Sequence, residues 1–194
     1  LAEQVIAQVN AIEDELAIHP QLSPQQKVLI HTIGIDVDEA YYEQVLSIQL
    51  NPQVDRDLVQ IVFSPEHGTA NIPVREIFTR AGYHFTPVEA QCTPDPDFSC
   101  TPTPNPEEKG AYELALREAE AIGADIMLVC DPDADRMGVG VLHHGEYVLL
   151  SGNQSGSVLI EYILSQLTQQ GKMPQNPVMF NTIVTSDLGE KIAA

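Results

Sequence analysis

The sequence predicts an α/β protein: a layered α/β/α domain built on a mostly parallel, mixed sheet. From residue 58 onward, strand-like apolar runs alternate with helical patterns, which is the element order of a layered α/β domain. Ile126-Met127-Leu128-Val129-Cys130 is a continuous apolar run, as expected for a strand covered on both faces. Of the 194 residues, 43% are hydrophobic and 19% charged, enough apolar surface for a core and too much for wholesale disorder. That length lies above one typical domain and below two.

Val5, Ile6, Val9, Ile12 and Leu16 recur at helical spacing, so residues 1 to about 17 read as an amphipathic helix. A loop from His19-Pro20 to Pro24 follows, then the apolar stretch Val28-Leu29-Ile30. Asp36 with Glu39 three residues on forms a capping-box pattern for a helix with the face Val37, Tyr41, Val45 and Ile48. Asn51-Pro52 ends it. Leu58 to Phe63 reads as a strand broken by Ser64-Pro65, Pro73 to Ala81 as a helix closed by Gly82, and Tyr83 to Val88 as a returning strand.

Residues 89 to 105, with prolines at 94, 96, 102 and 104, form a long loop. Asn105-Pro106-Glu107-Glu108 supplies an N-cap, a proline at the first helical position and an acid at the third. Ala111, Leu114, Ala115, Ala119 and Ile122 are that helix's buried face, and Gly123 its stop. After the apolar run, Met137, Val139 and Val141 alternate with Gly138, Gly140 and Leu142, and His144-Gly145 turns the chain into Tyr147 to Leu150. Ser151 and Gln154 cap a helix carrying Val158, Leu159, Tyr162, Ile163 and Leu167. A last strand is expected over Val178 to Val184, with a helix from about Ser186. No internal repeat is evident.

Nine Lys+Arg against 28 Asp+Glu give a formal net charge of −19. Such a chain repels phosphate backbones and anionic lipid surfaces, so nucleic-acid binding and attachment to a membrane through a basic patch are disfavoured. No apolar run approaches the length of a bilayer span. Cys92, Cys100 and Cys130 form neither a disulfide framework nor a Cys-x-x-Cys pair, which suits a reducing cytoplasm. The chain begins at Leu1 with no signal peptide, and a start inside a helical pattern with a stop at Lys191-Ile192-Ala193-Ala194 reads as a piece of something longer.

The chemistry concentrates in Asp131-Pro132-Asp133-Ala134-Asp135-Arg136, directly after the apolar strand. Three carboxylates at alternating positions of one tight loop can converge on a hard cation such as Mg²⁺ or Ca²⁺, which favours oxygen ligands. Without one, two charges about 4 Å apart repel by about 4 kcal/mol at an effective dielectric near 20. In open α/β sheets ligands sit beyond the carboxyl ends of strands, and Arg136 offers a donor fork for a phosphate or carboxylate. A plain solvated acidic loop is the competing reading. An EF-hand is excluded, because Arg136 and Leu142 occupy the positions that need Gly and Glu.

The loop 131–136 resembles the metal-binding loop of the α-D-phosphohexomutases, the phosphoglucomutase/phosphomannomutase family. Ser64-Pro65-Glu66-His67-Gly68-Thr69, Pro104-Asn105-Pro106-Glu107-Glu108-Lys109-Gly110, Gly152-Asn153-Gln154 and Thr182-Ile183-Val184-Thr185-Ser186 are similar to family segments in the same order. The resemblance implies three parts: the tail of a first domain over 1–33, a second domain with the metal loop over 34–145, and the opening of a third over 146–194.

It further implies an isomerase acting as an intramolecular phosphotransferase. Such an enzyme moves a phosphoryl group between the 1- and 6-hydroxyls of a hexose through a phosphoserine and a bisphosphate. Asp131, Asp133 and Asp135 would then hold Mg²⁺, and Arg136 would contact the phosphosugar or the phosphoserine. The phosphoserine loop belongs before Leu1 on this mapping, so the chain alone is expected to be inactive. Asn181 stands where the family commonly has Lys, which puts the third-domain contribution in question.

His67-Gly68 follows a strand end, where backbone amides could help bind a phosphate; a turn with a locally satisfied imidazole is the alternative. His143-His144-Gly145 reads as an exposed hairpin turn, and Cys130 as a buried apolar residue whose thiol the neighbouring acids suppress. Two further functions compete. An apolar strand followed by Asp-x-Asp also opens haloacid-dehalogenase-type phosphatases, but the later Lys and acidic pair of that architecture are poorly matched here. A non-catalytic acidic metal-binding or interaction module is the other. Apolar faces on 1–17 and 178–184 are expected to pack on further structure or on a second copy.

Overall fold

The computed structural model describes residues 1–14, 17 and 21–194. By contacts the chain divides into residues 1–40 and 41–194. In the first part, α1 (Ala2–Asn10) is shorter than its apolar periodicity predicts. It has no basic residue in its last turn and no buried residue, while Glu13 and Asp14 follow at its negative end, where acids are unfavourable. The expected continuation through Leu16 and the start of the loop at His19-Pro20 lie outside the described residues. Ser23 and Gln26 close a reciprocal capping box on the single turn α2 (Pro24–Lys27). Val28, Leu29 and Ile30 are exposed.

Helix α3 (Ile35–Ser47) begins before the expected cap, so Asp36 lies inside its first turn. Its buried residue is Tyr42; Val37, Tyr41 and Ile48, read from the sequence as the packed face, are exposed. The guanidinium of Arg80 sits 4.7 Å from the Tyr42 ring centre, so a cation–π contact takes the place of aliphatic packing.

Five strands form the sheet of the second part, in the order β2-β1-β3-β4-β5. They are β1 (Ile61–Ser64), β2 (Phe85–Pro87), β3 (Ile126–Cys130), β4 (Met137–His143) and β5 (Glu146–Leu150). β1 pairs in parallel with both β2 and β3, while β3, β4 and β5 are successively antiparallel. Leu58, expected in the first strand, lies in a short 3₁₀ turn and is 75% exposed.

Helix α4 (Asn71–Ala81) connects β1 to β2, and α5 (Glu113–Ile122) precedes β3 on the other side of β1. Crossovers of one hand in opposite directions put these helices on opposite faces. The two core clusters record that split. Phe63, Ala70, Cys130, Val74, Phe78 and Leu128 pack on the α4 face. Val62, Met127, Val129, Ala111, Ala115 and Ala119 pack on the α5 face. Neighbours Val62 and Phe63 thus face opposite layers, as strand alternation requires.

Helix α5 starts later than Pro106. Asn105 Oδ1 instead accepts from the Glu107 amide at 3.2 Å, and a 3₁₀ turn over Lys109–Tyr112 intervenes. The Tyr147 hydroxyl lies 2.9 and 2.7 Å from the Ala119 and Ala124 carbonyls, tying β5 to the end of α5. β4 buries Gly138 and Gly140 rather than its larger residues, and Met137 is 51% exposed. The reason is space: a Cβ at 138 would meet the Tyr112 hydroxyl and the Pro106 carbonyl, and one at 140 would meet Met127. The β4–β5 hairpin turns at His144 (φ 51°) and Gly145 (φ 86°), the pair of positive φ angles that a tight two-residue turn needs.

Ser151 and Gln154 cap α6 (Gly152–Gln169) reciprocally, as the sequence predicts. Its apolar residues Val158, Leu159, Tyr162 and Ile163 are exposed, and polar clips hold it: Asn51 Nδ2 donates to Tyr162 and Gln166, and Gln170 Nε2 to the Leu50 carbonyl. No strand forms over 178–184 among the described residues. No neighbouring strand pairs with this stretch, Pro174 and Pro177 precede it, and Thr182–Thr185 is a turn. Helix α7 (Leu188–Ala193) then brings Gly189 against Ile160 of α6.

Gly138→Ala places a methyl group where the Tyr112 hydroxyl stands. It is expected to cost about 1–3 kcal/mol, read as a lower urea midpoint with an unchanged slope.

Candidate metal centre

The acidic loop is the tip of the β3–β4 hairpin, with Cys130 opposite Met137 at its base. Left-handed Ala134 (φ 61°) and a bond from its amide to the Asp131 carbonyl at 3.0 Å tighten the turn. This curvature brings one oxygen from each of Asp131, Asp133 and Asp135 to within 4.8 Å of one another. Asp131 is buried, whereas Asp133 and Asp135 face solvent.

Arg136 grips the buried member twice: its amide donates to Asp131 Oδ1 at 3.0 Å, and its Nε to Oδ2 at 2.8 Å. Its Nη1 reaches Asn105 Oδ1 at 2.9 Å, joining segment 104–110 to the loop. Burial alone pushes the Asp131 carboxyl up, but the bonds from Arg136 outweigh it and hold this acid below its usual range. Asp135 moves the other way, raised by its hydrogen bond to Asp131 and by the charge of Asp133. One fixed anion beside two exposed acids that repel each other is an all-oxygen donor set, and a hard divalent cation fits it.

Parallel pairing puts a second turn beside this loop. The Thr69 amide donates to the Pro132 carbonyl at 2.9 Å, and Gly68 lies so close to Pro132 that a Cβ there would overlap its backbone. Glu66 (φ 45°) and His67 (φ 62°) in this turn are both left-handed, a strained state for side-chain-bearing residues. His67 Nδ1 lies 2.7 Å from the Thr93 carbonyl, while its Nε2 is buried without a partner. The structure thus gathers Asp131, Asp133, Asp135 and Arg136 in one loop. His67 lies in the adjoining turn, linked to that loop through Gly68 and Thr69.

Arg136 also lines a cleft of about 540 Å³ with Glu107, Lys109, Met137, Gly138, Leu149, Ser151 and Gly152, large enough for a small ligand. Cys130 is pushed up to about 11 by burial and then by the Asp131 charge, as its reading as an inert buried residue expects. His143 and His144 lie at the far hairpin, as the sequence predicts.

The chain matches the model of the phosphoglucomutase/phosphomannomutase α/β/α domain II over residues 39–144, more than half its length. The chain belongs to the phosphoglucomutase/phosphomannomutase family. A phosphoglucomutase from Staphylococcus epidermidis is 33% identical over 201 residues, covering 100% of this chain and 36% of that protein. A phosphomannomutase from Mycoplasmoides pirum is 34% identical over 166 residues, 84% of this chain and 30% of its own length. The chain therefore spans about a third of the length of these curated relatives. A solved phosphoglucomutase/phosphomannomutase family protein from Burkholderia thailandensis shares the fold with a TM-score of 0.54 at 19% identity, over 67% of this chain and 26% of that one. Membership in this family sets aside the haloacid-dehalogenase alternative.

Sequence reasoning passed over Glu66 and Gln91, both fully buried beside the site. An acid in a turn after a strand gives no sign of burial. Asn105 was legible as a helix cap and as part of the family-like segment 104–110, but not as the acceptor that holds Arg136. Burial raises the Glu66 carboxyl from 4.5 to about 7, partly offset by the nearby polar side chains of Thr101, Ser64 and Gln91 and by the His67 charge. The native state then holds its proton more tightly than the unfolded chain, so this group's contribution to stability falls as pH rises from about 4.5 to about 7. Glu66→Gln removes that fall. Its stability relative to wild type is expected to grow across this window by up to about 3 kcal/mol, measured by urea unfolding at a series of pH values.

Proposed function

We propose that this chain is the Mg²⁺-binding central portion of a phosphohexomutase, a cytoplasmic enzyme that interconverts hexose 1-phosphate and hexose 6-phosphate through a phosphoserine and a bisphosphate intermediate. The observation that carries this reading is the convergence of Asp131, Asp133 and Asp135 at the carboxyl end of β3, in a chain of this family. On this reading the domains divide at 1–33, 34–145 and 146–194. Turnover belongs on this reading to a longer protein, since the chain spans about a third of the length of its curated relatives.

Asp131, Asp133 and Asp135 are the metal ligands in this proposal. A bound Mg²⁺ supplies charge neutralisation for a transferring phosphoryl group, which needs positioning and electrostatic help more than covalent chemistry from the protein. The chain's own residues prepare that environment. Arg136 fixes Asp131 in its ionised form and keeps one oxygen ligand at a set place. Its guanidinium borders the cleft, where it can receive a phosphate oxygen of the sugar or of the phosphoserine. His67 is assigned a phosphate contact, supported by the unpartnered Nε2.

Titrating the chain with Mn²⁺ while following amide NMR signals tests the assignment. Broadening is expected to be selective for residues 131 to 138, and Asp133→Asn is expected to abolish it. Diffuse broadening over the acidic surface, unchanged by the substitution, would mean that the loop is ordinary solvated charge.

A further inference from the structure

The turn that braces the acidic loop contains a fully buried acid with half of its carboxylate unused. Glu66 Oε1 accepts from Gln91 Nε2 at 3.1 Å and lies 3.4 Å from the Ser64 hydroxyl, whereas Oε2 is buried with no partner. The single Ser64 proton is better placed on Gln91 Oε1, at 2.7 Å. A carboxylate in such a pocket retains charge on an oxygen that nothing satisfies, and removing that charge by protonation is favourable.

The surroundings are mechanically continuous with the metal loop. Gln91, which holds Oε1, also accepts from the His67 amide through its own carbonyl at 2.8 Å. His67 reaches Thr93, and Asn71 Nδ2 donates to the Cys92 carbonyl at 2.6 Å, so the segment 91–93 is stitched to the turn 66–71. Gly68 and Thr69 of the same turn press on Pro132, the residue between the first two aspartates. Other titratable groups also face this cluster. His67 shares the turn, Tyr112 before α5 feels the Glu66 charge, and Asp95 of the 89–105 loop faces His67.

We propose that Glu66 is a proton-linked positioning residue for the acidic loop. Neutral, it keeps the 65–69 turn against Pro132 as seen here; ionised, it drives its own carboxyl toward water, loosens that contact and changes the spacing of the three aspartates. This rests on the reading of that loop as a metal site. The balance lies in the neutral range, because burial sets this carboxyl at about 7.

The test uses the 194-residue chain without metal, from about pH 5.5 to about pH 8.5. The side-chain ¹³C signal of Glu66, the ring signals of His67 and the amides of Gly68, Thr69, Asp133 and Ala134 are followed together. The four amides are expected to move with the Glu66 midpoint, and in Glu66→Gln to lose it. Amides of 133 and 134 that stay still, or that follow the His67 ring instead, overturn the proposal even if the variant fails to fold. Mn²⁺ affinity is then compared at about pH 6 and pH 8. Between these values wild type is expected to lose about fivefold relative to Glu66→Gln, and equal ratios in the two chains overturn the proposal. Failure of both chains to bind Mn²⁺ at either pH overturns the metal reading, and with it the role given to Glu66. Saturable binding combined with silent amides overturns the inference about Glu66 alone.

Discussion

Because β1 and β3 run parallel with Ser64 opposite Val129, the segments that leave them emerge side by side at the carboxyl ends of the strands. The meeting of the two turns at the candidate site follows from that register. It sets the 65–69 turn against the acidic loop and lets Thr69 reach the Pro132 carbonyl. It also explains why Gly68 can be only glycine there, since any side chain would occupy the Pro132 backbone. A slip of one residue would turn one strand's side chains to the opposite layer and part the two turns.

Charge is organised around a single fixed member. Asp131 sits in the protein with its partner Arg136 already in place, whereas Asp133 and Asp135 remain in solvent. Such a division keeps the folding cost of three neighbouring acids low, because just one of them gives up its hydration and that one receives two hydrogen bonds in return. The same arginine ties down Asn105, so a segment far away in sequence is held to the loop by the guanidinium that polarises it.

Much of the second part of the chain was legible in the sequence, for physical reasons that can be named. Left-handed Gly82 and Gly123 end α4 and α5 where expected, the capping box at Ser151 and Gln154 forms, and the run 126–130 is the central strand. These are local signals, decided within a few residues. The errors came where distant partners decide. Val178 to Val184 has strand composition but no strand to pair with, and Tyr42 is chosen over its apolar neighbours by Arg80. The three carboxylates of the acidic loop stand out by spacing alone, yet Glu66 could not be found that way, because its burial depends on Gln91 and Thr101 folding over it.

One edge of the sheet carries a further consequence. The outermost strand β2 has three residues and ends in Pro87, which has no amide hydrogen to offer. A sheet grows by adding chain to unpaired donors and acceptors, so this margin provides little template for another strand. The protein thus limits edge-to-edge aggregation on that side with a proline and a short strand, at no cost to the strands β1 and β3 that build the site.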